Sequence, residues 1–411
     1  MAEIEYERWA TRSIQEALTI FRTVFIAGAR QCGKTTLAKQ IHVPSDNWRT
    51  LDNSAQRKVA TEDPAGFIVR RDAGPMVIDE IQKVPALLPE IKRQVDENTS
   101  KGQYLLTGSA NILNLPAITE SLAGRMGTIR LRTLAHGEIV GNSPTFLQRA
   151  FNHDFQSRLT GYTKRDVLAF AFRGGYGETL ELSPRAKKLW FKSYLDALLL
   201  HDVRDLMDVR AYHVLRQMME MMLAYSAKFF TEASFTTALG IKHETFVRFL
   251  SILKTLYLVD EVPAWHQGDY DGLNKRSKYF VSDTGLIASM LNWREDDVYL
   301  DSDRSGKLVE SWVYNQLTAQ TDLASDFAIY QYRDKQRREI DFIIESDDGK
   351  LLGIEVKAGS DVGESDFRAL KWFRDNLAKS RPFTGVVVYT GELTLPFGPS
   401  LYAIPIGEIC A

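Results

Sequence analysis

Apolar residues recur along the chain in two rhythms. In the first third, short unbroken apolar runs alternate with segments of helical spacing. Val24-Phe25-Ile26-Ala27, Pro75-Met76-Val77-Ile78 and Tyr104-Leu105-Leu106 are such runs, and strands covered on both faces in a parallel sheet read this way. Arg49–Asp52 and Thr128–Leu131 predict two further strands; residues 1–20, Thr36–Ile41 and the stretch opened by Asp63-Pro64 predict helices. Residues 146–230 instead carry leucine, methionine and aromatic side chains at helical spacing, as in Trp190–Leu200, with methionines such as Met218 and Met222 filling a helical core. Phe235–Gly240 predicts a helix closed by glycine and His243–Leu253 a second one, followed by strands at Leu256–Val259 and Lys278–Val281 around a polar loop. The last hundred residues return to strands, at Ala328–Tyr332, Glu339–Ile344, Leu351–Lys357 and Gly385–Tyr389, with helices at Lys307–Leu317 and Asp366–Leu377. The prediction is an α/β protein in three parts. A parallel sheet with helices on both faces spans 1–145, a helical region ending in helix, turn, helix and two-stranded wing spans 146–290, and a second α/β domain spans 291–411.

The run Val24–Ala27 leads into Gly28-Ala29-Arg30-Gln31-Cys32-Gly33-Lys34-Thr35, which fits GxxxxGK[ST] at every fixed position and has a strand before it and a helix after it. Such a loop wraps an anion with inward-pointing backbone N–H groups, and Thr36 continues the cradle into the helix. In this pattern Lys34 reaches the β- and γ-phosphates of a nucleotide such as ATP, and the Thr35 hydroxyl ligates Mg²⁺. The run Met76–Ile78 ends in Asp79 and Glu80. Asp79 at a strand tip suits the magnesium shell, and Glu80 suits the orientation of attacking water. The strand Gln103–Leu106 runs into Thr107-Gly108-Ser109, where Ser109 is placed to sense the γ-phosphate. Arg125 offers a guanidinium that can neutralise transition-state charge, on its own chain or on a neighbouring copy in a homo-oligomer.

Length and charge narrow the picture. A chain of 411 residues is too long for one core and suggests two to four domains. No run approaches the roughly 20 apolar residues of a membrane span. The stretch Met1–Glu7 is acidic, without the basic and apolar segments of an export signal, so a cytoplasmic location and no membrane contact are expected. Only Cys32 and Cys410 occur, which leaves no basis for a disulfide framework or a cysteine metal site. With a formal net charge of -2, any binding of nucleic acid has to come from a local cluster. Lys275, Arg276 and Lys278 on the wing, with Lys242, His243 and Arg248 on the preceding helix, are the candidates, and DNA is the favoured partner. Such wings also bind proteins, so a protein partner stands beside it.

With these motifs in hand the chain resembles a group of bacterial and archaeal AAA-type ATPases that carry a C-terminal domain of unknown function. The resemblance rests on Gly28–Leu37, Val77–Gln82, Leu106–Ser109 and Glu120–Arg125, and it implies an AAA-like nucleotide domain without implying a substrate. Cys32 stands where such proteins often have a small aliphatic residue.

In the last domain a period of two puts Ile340, Phe342 and Ile344 on one face and Asp341 on the other, and gives Glu355 and Lys357 a common face. Pairing of those strands would bring Asp341, Glu355 and Lys357 together, and the helix can carry Glu310 to the same point. Two acids for magnesium, a lysine for water and a helical glutamate suit phosphodiester hydrolysis. This resembles the PD-(D/E)xK nuclease fold, with Ile340 in place of the motif proline. The resemblance implies Glu310, Asp341 and Glu355 as metal ligands and Asp341, Glu355 and Lys357 as catalytic residues.

Overall fold

Thr23–Ala27 (β1) is apolar on both faces and lies inside a five-stranded sheet, where every residue of it is buried. Helix α1 (Ala10–Ile20) leads into it, and α2 (Lys34–Gln40) follows it. The other strands are β2 (Trp48–Thr50), β3 (Met76–Asp79), β4 (Tyr104–Gly108) and β5 (Met126–Arg130), in the order β2-β3-β4-β1-β5. All the pairings are parallel. The carboxyl ends of the strands therefore share one edge, and the turns after β1 and β3 open there. Because β4 lies between β1 and β3, its tip stands between the glycine-rich loop and the acids after β3. Phe25, Met76, Ile78, Tyr104 and Leu106 meet α3 (Leu87–Glu97) through Leu87, Leu88, Ile91 and Val95 in one core.

This computed structural model describes residues 6–41, 45–70, 74–108, 122–155, 161–201, 209–267, 276–323 and 326–411. They group into two units, Met1–Thr133 with Thr255–Tyr257, and Leu134–Lys254 with Leu258–Ala411. Apart from Thr255–Tyr257, the segments read in the sequence as 146–290 and 291–411 lie together in the second.

The second unit begins with helices, among them Lys164–Arg173, Pro184–His201 and Val209–Ala224. Next come α4 (Glu232–Leu239), closed by Gly240 at φ 63°, and α5 (His243–Thr255). An antiparallel ribbon of β6 (Val259–Val262) and β7 (Lys278–Val281) follows. The ribbon starts at Val259 rather than Leu256 because Tyr257, at φ 55°, turns the chain out of the helix first.

After the ribbon, α6 (Ser302–Thr321) runs beside a six-stranded sheet of β8 (Phe327–Arg333), β9 (Glu339–Ser346), β10 (Leu351–Val356), β11 (Phe383–Tyr389), β12 (Leu395–Pro396) and β13 (Leu401–Pro405). Its order is β12-β13-β11-β10-β9-β8, with α7 (Arg368–Asn376) packed on it through Leu370 and Phe373. The ribbon is tied to the edge of this sheet: the Trp265 N–H donates to the Gln331 carbonyl at 2.7 Å, and the Gln331 N–H donates to the Pro263 carbonyl at 3.0 Å.

Candidate functional sites

The loop Gly28–Gly33 is shaped by its glycines. Gly33 has φ 100°, a region that side-chain-bearing residues avoid, and a Cβ on Gly28 would stand 2.3 Å from the Leu131 carbonyl oxygen. The loop is held from outside by Arg8, whose guanidinium donates to the Cys32 carbonyl at 2.9 Å and to the Arg132 carbonyl at 2.8 Å. Cys32 is buried and serves as a small filler. Lys34 is buried, and its Nζ donates to the carbonyls of Gly28 at 3.0 Å and Ala29 at 2.7 Å. The ammonium thus lies over the loop that the sequence assigns to phosphate.

Asp79 ends β3 almost fully buried, and hydroxyls from three elements meet on its carboxylate. Thr35 Oγ1 donates to Oδ1 at 2.9 Å, Thr107 Oγ1 to Oδ1 at 2.5 Å, and Thr50 Oγ1 to Oδ2 at 3.3 Å. Thr35 and Asp79, the two magnesium ligands read from the sequence, are therefore adjacent. Their hard oxygen atoms are the donor type Mg²⁺ takes, so these residues fit that ion. Glu80 is the next residue, at φ 59°, and its N–H donates to Thr107 Oγ1 at 3.2 Å. A left-handed glutamate is uncommon, and such backbone concentrates at active sites. Gln82 Nε2 donates a hydrogen bond to the Glu80 carboxylate.

Thr107 is the polar strand-tip residue that the structure brings to this centre. Ser109, the residue chosen from the sequence, lies outside the described residues. Arg125 is not brought there. It precedes β5, with its carbonyl accepting from the Thr23 N–H at 3.1 Å, and so sits at the amino edge of the parallel sheet. About 13 Å of strand separates that edge from the loop. Its guanidinium is engaged by Asp96 at the end of α3. The expectation that Arg125 reaches the nucleotide of its own chain is corrected accordingly: the direction of the strands puts it at the wrong end.

The second unit brings together the residues of the other predicted site, with one addition. β9 and β10 pair antiparallel, Ile354 opposite Phe342, so Asp341 and Glu355 become neighbours. Asp341 Oδ2 accepts from the Val356 N–H at 2.9 Å. Lys357 Nζ donates to Glu355 Oε1 at 3.1 Å and lies 3.6 Å from Asp366. α6 delivers Glu310. Between these acids stands Lys278 of β7, its ammonium 2.5 Å from Glu310, 3.1 Å from Glu339 and 3.3 Å from Asp341.

Burial raises the Glu310 carboxyl well above the usual range, and the Asp341 charge adds to this. The same two causes push Glu355 up to about 8 against the pull of Lys357. Burial disfavours the Lys278 ammonium, yet Glu310, Asp341 and Glu339 more than offset it, leaving its affinity for the proton above that of an ordinary lysine. The side chain of Lys278 is 2% exposed. Its reading as a phosphate-contacting wing residue is therefore corrected, because the carboxylates draw it inward. Lys242, His243, Arg248 and Arg276 are exposed, His243 being hydrogen-bonded to Glu232, and Lys275 lies outside the described residues.

In this arrangement Glu310 and Asp341 face the Lys278 ammonium, and Glu355 faces that of Lys357. Among the described residues no group of three or more His, Cys, Asp or Glu side chains is disposed to hold a metal. Lys278 fills the point on which Glu310 and Asp341 converge. Nor is any described helix long and apolar enough to cross a membrane.

Residues 21–140 match the family model described as an AAA domain. Residues 164–297 and 305–409 match two models that are each described as a domain of unknown function, DUF8612 and DUF4143. Two curated relatives are each 25% identical to the chain, over 98% of it and 84% of their own length. They are the uncharacterized proteins Mb2031c of Mycobacterium bovis and Rv2008c of Mycobacterium tuberculosis. Among solved structures, the Walker-type ATPase paby2304 of Pyrococcus abyssi aligns at 14% identity and TM-score 0.40, over 71% of this chain and 97% of its own. Protein VC1899 from Vibrio cholerae aligns at 11% identity and TM-score 0.20, over 95% of each chain. Likeness at this level assigns neither fold nor function. The family match and the glycine-rich loop together support a P-loop nucleotide-binding domain of AAA type over residues 21–140.

Proposed function

We propose that the protein binds and hydrolyses ATP at Gly28–Thr36 and uses the cycle to act on nucleic acid, DNA in the first place, through its second unit. The observation that carries the ATPase reading is the Asp79 carboxylate, held by the hydroxyls of Thr35, Thr50 and Thr107 beside the Lys34 loop. In this reading the loop N–H groups and Lys34 bind the phosphates and neutralise charge that builds on them. Thr35 and Asp79 would hold Mg²⁺, which supplies Lewis-acid polarisation of the phosphate oxygens when bound. The Glu80 carboxylate orients the attacking water, and Thr107 fixes Asp79 against β4. Steady-state phosphate release tests this: Lys34→Ala is expected to abolish it, and Glu80→Gln to lower kcat by roughly 10²-fold or more with nucleotide still bound. Equal turnover in all three proteins would reject the reading.

The DNA reading is supported by α4, α5 and the ribbon in winged-helix-like order, with Lys242, Arg248 and Arg276 exposed. Fluorescence anisotropy with duplex DNA at low salt tests it, with and without ATP. A second reading makes the chain an ATP-driven switch for a protein partner, its nuclease-like sheet used only for binding. Lys278 within the acids of that sheet favours it. Absence of DNA binding in both nucleotide states would select this alternative.

A further inference from the structure

Most carboxylate oxygens of this centre face a cation or a backbone N–H, while Glu355 Oε2 is buried without a hydrogen-bond partner. Asp341 Oδ1 faces Lys278 at 3.3 Å and Oδ2 takes the Val356 N–H at 2.9 Å. Glu355 Oε1 takes Lys357, and Glu310 is paired with Lys278 at 2.5 Å. A divalent ion needs several oxygen atoms turned to one open point, and here the point already holds a charged nitrogen. Lys278 is anchored from the far side as well. It pairs across the ribbon with Val262, and the Phe229 ring lies 5.4 Å from its ammonium. A lysine this deeply buried stays charged only where carboxylates surround it, and three of them do.

We propose that the Lys278 ammonium is the resident cation of this acidic centre. It occupies the position a nuclease-like reading would give to a metal ion, closes the centre to divalent ions, and joins the ribbon to α6 and β9. The second unit then performs no metal-dependent phosphodiester cleavage. The charge logic is direct. Glu310, Glu339 and Asp341 crowd negative charge around one point, which favours a cation placed among them. Supplied by β7, the cation cannot leave without moving the strand, so it serves as a structural tie where an exchangeable ion would not. The proposal stands apart from the ATPase reading, since no nucleotide enters it or its test.

The test is Mn²⁺ binding to the full chain, followed by electron paramagnetic resonance of free Mn²⁺ without nucleotide. Wild type and Asp341→Asn are expected to bind the same number of ions, because the centre takes none; one ion fewer in Asp341→Asn would overturn the proposal. Glu355→Gln serves in its place should Asp341→Asn fail to fold. Lys278→Met, folded by circular dichroism, is expected to gain one Mn²⁺ and to lose it again when Asp341→Asn is added. A folded Lys278→Met chain that gains none would also overturn the proposal. If that variant does not fold, the comparison of wild type with the acid variants decides alone. Cleavage of DNA by wild type in Mn²⁺ that Asp341→Asn abolishes would overturn it independently.

Discussion

Thr107 Oγ1 donates a hydrogen bond to Asp79 Oδ1 at 2.5 Å, across the boundary between β4 and β3. The same oxygen accepts from the Glu80 N–H at 3.2 Å, so one hydroxyl sets the position of both acids. Thr107→Val keeps the shape and removes the hydroxyl. Nucleotide affinity is expected to change little, while kcat falls roughly 10- to 100-fold through misplacement of the carboxylates. Single-turnover hydrolysis alongside a binding titration separates the two effects.

Arg8, two residues before α1, acts on the loop. Its bonds to the Cys32 and Arg132 carbonyls fasten the turn to the strand end after β5. Arg8→Ala leaves those carbonyls without the guanidinium and loosens the cradle. ATP affinity is expected to fall about tenfold, the scale of one charge-assisted hydrogen bond. Calorimetry with a non-hydrolysable analogue measures it.

Arg125, bound to Asp96 at the amino edge of the sheet, is expected to be dispensable for hydrolysis by an isolated chain. A contribution on a neighbouring copy would show in mixtures. Arg125→Ala combined with Lys34→Ala should then recover part of the hydrolysis that neither shows alone under assembling conditions. Full activity of Arg125→Ala at every protein concentration would leave the residue a surface ion-pair partner.

His136 reports on the acid stability of the second unit. Its ring stacks on Phe170 with centroids 3.9 Å apart, and Nδ1 lies 2.8 Å from the Arg173 guanidinium. Arginine can only donate, so Nδ1 accepts and the ring proton sits on Nε2, toward the Tyr162 hydroxyl at 3.3 Å. Burial, and then the Arg173 charge, lower its pKa from 6.5 to about 4. The unfolded chain therefore binds the proton first as pH falls. The stability from keeping this ring neutral is present above pH 6.5 and is lost on the way down to about 4, an effect on the order of 3 kcal/mol. Thermal unfolding from pH 7.5 to 4.5 is expected to show a steeper fall for wild type than for His136→Gln.

Lys242, just before α5, and Arg248 on it are exposed, and Lys278 of β7 is not. Arg248→Glu is expected to weaken duplex DNA binding several-fold and to lower its salt dependence. A chain that binds DNA unchanged after this substitution would place the contact elsewhere.

What could be read from the sequence was what lies close together along it. The phosphate loop spans eight consecutive positions with a strand before it and a helix after it, and the strand ending in Asp79 and Glu80 carries its own apolar signature. Those elements stand where they were expected. Thr107 and Ser109 stand two positions apart in the sequence, so alternation alone could not choose between them. Thr50 gave no signal, because its role depends on β2 lying beside β3. Arg125 misled for a related reason. Its distance from the loop is fixed by the parallel course of β1 and β5, which no local pattern states. Lys278 is the clearest case. Next to Arg276 it reads as one more surface cation, and what buries it are carboxylates from positions 310, 339 and 341, all distant in the chain.

The contacts of Lys34 bear on how a triphosphate would arrive. Its ammonium is already committed to two carbonyl oxygens of its own loop. Binding is then an exchange of partners more than the capture of a free charge, and the measured affinity reflects the difference between the two sets of bonds. A lysine pre-bent over the loop has surrendered much of its rotational freedom beforehand, so the loop offers an incoming nucleotide a cation that is aimed but only modestly sticky, a combination suited to repeated turnover.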